Sequence, residues 1–181
     1  CLAKHITYKG FAAHAGGLPH MGKNALYAAT CGINACNAIR ETFEEKDLIR
    51  FHPIITYGGT AVNAIPEKVV IESYVRGKDY AAIVKANKKI NRALIGTALS
   101  LDVNVEIDDM PGYAPLNNAE SMIQLFKDAV TELGYPYHHV ETRGTGSTDM
   151  GDLSCIMPVV HPCAAGEVGK PERGKGSKRK A

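Results

Sequence analysis

The chain has 181 residues, of which 45% are hydrophobic and 22% charged, a balance that excludes a disordered protein and fits a globular one. No apolar run approaches the roughly 20 residues that span a bilayer, and the N-terminus lacks the basic-then-apolar order of a secretion signal. The formal charge of +2 is set by the last residues: from Lys170 onward there are six Lys or Arg and one Glu, leaving 15 basic against 18 acidic residues before them. A mildly acidic body argues against a nucleic-acid face on the folded part, and residues 169–181 read as a basic disordered tail.

Cysteine usage points the same way. Cys1, Cys31, Cys36, Cys155 and Cys163 are odd in number and lack CxxC spacing, which excludes a disulfide framework and a zinc ribbon. Cys31 and Cys36 fall inside a helical pattern and read as small buried hydrophobes. The expected compartment is reducing and cytoplasmic. The chain begins at Cys1, already in strand-like sequence and without a methionine, as expected of a piece of a longer protein.

In chain order, "KHITYKG" at 4–10 alternates as a first strand. A turn around His14 leads into an amphipathic helix over 22–44, with Leu26, Ala29, Ile33, Cys36 and Phe43 at helical spacing. "RFHPIITYGG" and "KVVIESYVRG" are β-rich and separated by a turn carrying Pro66. A second helix over about 78–100 places Ile83, Ile90, Leu94 and Leu101 on one side, and "VNVEID" supplies a fourth strand. The order β-α-β-β-α-β is the ferredoxin-like split βαβ: one antiparallel sheet with two helices on one face. The class is α+β.

Beyond this unit the pattern changes. "DDMPGYAPLNN" is a turn-rich link, with Asn117 or Asn118 as helix N-cap. Met122, Leu125 or Phe126, Ala129 or Val130, and Leu133 predict a third helix; "YPYHHVE" and "CIMPVV" predict strands, with a Gly-rich turn and short helix between them. This is α/β sequence of partial-domain length.

Three groups can carry chemistry. His14 stands among Ala12, Ala13, Ala15, Gly16 and Gly17, a stretch whose small side chains leave room for a ligand or a second subunit; an ordinary hydrogen-bonded turn histidine is the plainer reading. "YGGTAVNAIP" puts Gly58 and Gly59 at a strand end, where positive φ or close backbone approach is available, with Asn63 after it. Arg76 closes the next strand, either as a solvated edge charge or as a planar fork for a carboxylate. "GTGSTDMGD" brings Gly146, Ser147 and Thr148 to a helix entrance suited to an anion, with Ser147 or Asp149 as alternative N-caps. It lacks the GK[ST] of a P-loop. HxD and HExxH are absent, His138 and His139 alternate to opposite faces, and His161 is isolated, so no catalytic zinc set is encoded.

Taken together, "KGFAAHAGGLPHMGKNAL", "GGTAVNAIPEKVVIESYVRG" and "GTGSTDMGD" resemble the zinc-dependent aminoacylase/carboxypeptidase superfamily of metallopeptidases. The wording is nearest to its aminobenzoyl-glutamate hydrolase-like amidohydrolases. The resemblance implies a ferredoxin-like dimerisation (lid) domain at 1–109, a C-terminal segment of an α/β catalytic domain at 110–168, and the tail at 169–181. It implies hydrolysis of the amide bond of N-acyl amino acids or dipeptide-like substrates by a metal-bound water, with two divalent ions, zinc foremost, in the full-length enzyme. The HxD ligand, the bridging Asp and the Glu-Glu pair would precede Cys1 and the last histidine ligand would follow the "VVHP" segment, so this chain alone is expected to bind no metal and to be inactive.

The roles implied are specific. His14 would enter the partner subunit's active site and hold the oxyanion. Asn63 would contact substrate, Arg76 would pair with its carboxylate, and Gly146, Ser147 and Thr148 would complete that pocket. The expected partners are a second copy of the chain and a small substrate, with no nucleic acid and no membrane. A non-catalytic dimerisation module is the alternative. An RNA-binding ferredoxin-like domain is disfavoured, because the strands lack the aromatic run that stacks bases.

Overall fold

The computed structural model describes residues 1–138 and 145–163. Its first strand, β1 (Leu2–Lys9), directs Lys4, Ile6 and Tyr8 into the interior, and all three are buried. Helix α1 (Ala25–Arg40) is shorter than the periodicity suggests. Asn24 starts it by accepting the N–H groups of Leu26 and Tyr27 at 3.0 and 3.1 Å, two of the donors that a helix start leaves unpaired. The second β-rich segment is divided by Pro53 into β2 (Arg50–Phe51) and β3 (Ile54–Tyr57), followed by β4 (Lys68–Arg76). Asp79 then caps α2 (Tyr80–Ser100) through the Ala82 N–H, and β5 (Asn104–Pro111) completes the sheet.

The strand order is β2-β4-β1-β5, with β3 also on β4 and every pairing antiparallel. This is the ferredoxin-like arrangement that the alternation implies. Both helices cover one face, and Ile6, Tyr8, Ala29, Cys36, Ile71, Val75, Ile83, Ile90 and Leu94 form the core between them and the sheet. The Tyr8 hydroxyl meets the Leu94 carbonyl at 3.1 Å, and burial raises its phenol to about 12. Burial likewise raises the Cys36 thiol to about 11. Cys31 departs from expectation: it is exposed, on the outer side of α1.

Lys4 is the unexpected interior residue. Its side chain is fully buried, and its ammonium donates to Asn87 Oδ1 at 2.8 Å, to Asn91 Oδ1 at 2.6 Å and to Asp109. Asn87 and Asn91 return hydrogen bonds to Asp109 Oδ2. A charge in a dry interior survives only when its donors are satisfied in this way, and the closed network joins β1, α2 and β5.

The remainder is more open. Helix α3 (Glu120–Glu132) has no buried residue, and Leu125 and Leu133 are exposed. Its N-cap is Ala119, not Asn117 or Asn118; Asn118 instead accepts the His161 N–H at 3.0 Å. Residues 155–160 form no strand: the N–H groups of Cys155, Ile156 and Met157 turn back onto Asp152 O and Leu153 O at 3.0–3.1 Å, and Ala119 N–H donates to Val159 O at 2.8 Å. Residues 135–138 of the other expected strand are irregular, and the rest of it, with His139 and Gly144, lies outside the described residues, as does 164–181.

Candidate functional site

His14 sits beyond the regular sheet, at the tip of an arm that continues the β1–β4 pairing. Gly10 N–H donates to Glu67 O at 2.7 Å, Ile65 N–H to Ala13 O at 2.9 Å and Ala15 N–H to Asn63 O at 2.9 Å, with His14 opposite Ala64. Both His14 and Asn63 are exposed. The arm therefore brings these two candidates together. The Asn63 side chain has no hydrogen-bond partner among the described residues, so it does not serve its own turn. Gly59 supports the bend before it, with φ +121, and an added Cβ would meet Pro66 Cγ at 2.9 Å.

The His14 ring is held locally. Its Nδ1 accepts the N–H groups of Gly16 at 3.2 Å and Gly17 at 2.9 Å. A Cβ on either glycine would make only ordinary contact with the ring, at 3.5 and 3.4 Å. The glycines therefore are not needed to clear space for the imidazole; what they contribute is their N–H groups.

Arg76 lies at the other end. It closes β4 beside Leu2–Val75, whereas the arm leaves β1 at Lys9, and β1 alone spans roughly 23 Å at about 3.3 Å per residue. The guanidinium rests over the Tyr74 ring, 5.2 Å from its centroid. No carboxylate of the described residues pairs with it, so its fork is available.

The turn at Gly146–Thr148 reaches the Arg76 end of the sheet through the link that follows β5. Gly112 N–H donates to Cys1 O at 3.0 Å, Ala114 N–H to Asp152 Oδ1 at 2.7 Å, and Ser147 bridges Pro115. Short helix α4 (Asp149–Leu153) is capped by Thr148, which accepts the Met150 N–H, and not by Ser147 or Asp149. Hydrogen bonds from the Thr148 hydroxyl and the Met150 N–H hold the Asp149 carboxyl below the usual range. Gly151 packs against the link so closely that an added Cβ would fall on the Ala114 carbonyl oxygen. Sequence reasoning missed Asp152 and Gly151 as anchors, because only the fold brings residue 114 beside them.

His14 and Asn63 thus share one arm, whereas Arg76 and the link that carries Gly146, Ser147 and Thr148 lie toward the opposite end of the sheet. Among the described residues no cluster of three or more His, Cys, Asp or Glu can hold a metal ion, and no helix is long and apolar enough to cross a membrane.

Residues 2–102 match the M20 peptidase dimerisation domain. The chain belongs to that family. Human Xaa-Arg dipeptidase is 29% identical over 168 residues, covering 89% of this chain and 38% of the dipeptidase. A homolog of a p-aminobenzoyl-glutamate hydrolase subunit, from Haemophilus influenzae, is 28% identical over 127 residues, covering 70% of this chain and 30% of the homolog. The chain therefore spans about a third of the length of these relatives. The fold is shared with an aminobenzoyl-glutamate utilization protein from Klebsiella pneumoniae (TM-score 0.66, 20% identity, 84% of this chain and 39% of that one). It is also shared with a Staphylococcus aureus tripeptidase (TM-score 0.64, 23% identity, 85% and 40%). The M20 relatives are hydrolases, amidohydrolases and peptidases.

Proposed function

We propose that this chain is the dimerisation (lid) domain, 1–109, and a C-terminal catalytic-domain segment, 110–168, of an amidohydrolase. The full-length enzyme would cleave the amide of an N-acyl amino acid or dipeptide-like substrate in a reducing, cytoplasmic compartment. The observation that carries the reading is the division of the candidates between opposite ends of one sheet. A single substrate cannot meet both groups within one copy, so a working site pairs His14 and Asn63 of one subunit with Arg76 and the Gly146–Thr148 turn of another. Strand β3 supports such pairing: its outer edge is open among the described residues, and Ile54, Ile55 and Tyr57 are 54%, 40% and 42% exposed. Apolar open edges are templates for strand addition.

The residues then divide the work. Arg76 offers parallel N–H donors to the substrate carboxylate, a geometry that a lysine cannot reproduce. Hydroxyls and N–H groups at Gly146–Thr148 close around the same anion. Asn63 hydrogen-bonds the bound substrate, and His14 donates to the oxygen on which charge develops when the amide carbonyl is attacked. The two divalent ions that the resemblance implies do not fit the residues present, which offer no ligand set among those described. This chain's own share of the reaction is binding, orientation and oxyanion support.

Subunit complementation tests this reading. In the full-length enzyme, His14→Ala and Arg76→Ala homodimers should each be nearly inactive with metal content unchanged. Co-refolding the two should restore about a quarter of wild-type activity, since half of random dimers are mixed and each mixed dimer holds one intact site. No recovery on mixing refutes the shared site.

A further inference from the structure

We propose that the backbone N–H groups of Gly16 and Gly17 lock His14 in its Nε2–H tautomer, making these glycines positioning residues for a hydrogen-bond donor. The proposal deepens the functional reading above and rests on it for its consequence, while the lock itself follows from local geometry.

Both glycine N–H groups point at Nδ1, from 3.2 and 2.9 Å. Only an unprotonated ring nitrogen can accept them, and a proton on Nδ1 would face two donors and break both bonds. The neutral ring then carries its proton on Nε2, which has no hydrogen-bond partner among the described residues. The surrounding backbone holds this arrangement on three sides. Leu18 N–H closes the turn on His14 O at 3.0 Å, while Ala13 O and Ala15 N–H are bonded to Ile65 and Asn63. The turn that carries the two donors and the strand that carries the ring therefore cannot move independently.

This arrangement decides between two uses of a histidine beside a scissile amide. A general base must present a lone pair to the reacting water or substrate, whereas an oxyanion partner must present N–H. With Nδ1 committed to Gly16 and Gly17, the nitrogen left to face a substrate is the protonated one. The AHAGG stretch thus selects the donor role before any substrate arrives, and charge developing on an oxygen meets an N–H that needs no tautomer exchange.

Nitrogen NMR of the ¹⁵N-labelled chain at alkaline pH tests the lock without any turnover assay. The expected result is an unprotonated Nδ1 and a protonated Nε2 resonance for His14, with a scalar coupling across the hydrogen bond from Gly17 N to Nδ1. Gly17→Ala keeps the N–H and should keep this pattern, and a folded Gly17→Pro, which removes the donor, should lose the coupling and show averaged shifts. Averaged wild-type shifts, a proton on Nδ1, or a pattern unchanged in folded Gly17→Pro would overturn the proposal. If Gly17→Pro does not fold, the wild-type shifts and coupling decide. A locked ring combined with a fully active His14→Ala enzyme would refute the functional reading and leave the tautomer assignment standing.

Discussion

Replacing Lys4 by Met asks what holds β1, α2 and β5 in register. Methionine fills most of the lysine volume but removes three donors, which leaves Asn87 Oδ1, Asn91 Oδ1 and Asp109 Oδ1 without their common partner. Asp109 keeps hydrogen bonds from Asn87 and Asn91, and its side chain is 24% exposed, so water relieves part of the loss. The expected cost is about 2–4 kcal/mol, between the cost of stranding a buried polar group and that of breaking a fully buried ion pair. With a urea m-value of about 2 kcal/mol/M, that lowers the unfolding midpoint by about 1–2 M. Asp109→Leu added to Lys4→Met should cost less than the sum of the two single changes by at least about 1 kcal/mol, because the second substitution removes the charge stranded by the first. A Lys4→Met loss below about 0.5 kcal/mol, or strict additivity, would refute this explanation.

The same network predicts an acid dependence. Burial pushes the Asp109 carboxyl up, but hydrogen bonds from Lys4, Asn87 and Asn91, with the Lys4 charge, outweigh it and leave the carboxyl below its usual range. A group with a depressed folded pKa contributes its stability above the unfolded value, about pH 4, and loses it as pH falls through the folded value. Burial lowers Lys4 in spite of its partner, so the pair is retained because its polar groups are satisfied, and the ion pair is not a net surplus. Urea midpoints should fall as pH drops below about 4, and less steeply in Lys4→Met; parallel slopes would remove Asp109 from the explanation.

Other substitutions probe separate links. Asn24→Ala should destabilise the domain by about 1 kcal/mol through loss of the α1 cap, seen as a lower melting temperature, whereas Asn24→Ser should recover most of it. Gly151→Ala should cost roughly 1–3 kcal/mol locally, because its Cβ collides with the Ala114 carbonyl; amide exchange should quicken at Ala114 and Gly151 while β1 protection stays unchanged. Arg76→Lys in the full-length enzyme should raise KM by about 10- to 100-fold, since a point charge cannot replace the planar fork; an unchanged KM would argue that the carboxylate binds elsewhere.

Legibility differed between the two halves of the chain. In residues 1–111 the alternation of β1 and β4 and the helical spacing of Ile83, Ile90 and Leu94 were readable because each element buries one face against a large partner. After residue 111 the same signals overreached. Helix α3 follows its apolar pattern yet buries nothing, and 155–160 is apolar but unpaired, since a strand needs a neighbour that no local pattern supplies. Cys31 and Cys36 show the limit within one helix: five positions apart, one faces the sheet and the other does not.

The candidate residues, their order and the family resemblance were legible in the sequence alone, because glycines, prolines and small residues at fixed spacing dictate local turns whatever surrounds them. The order β-α-β-β-α-β was equally legible, since period and turn chemistry are local. Tertiary structure decided what depends on meetings between distant segments. It buried Lys4 among Asn87, Asn91 and Asp109, turned two glycine N–H groups onto the His14 ring, and docked the Gly151 turn on Ala114. It also put His14 and Arg76 at opposite ends of one sheet. That separation comes from antiparallel pairing, which carries the end of β1 away from the end of β4, and it is the physical reason that a site built from both needs a second copy.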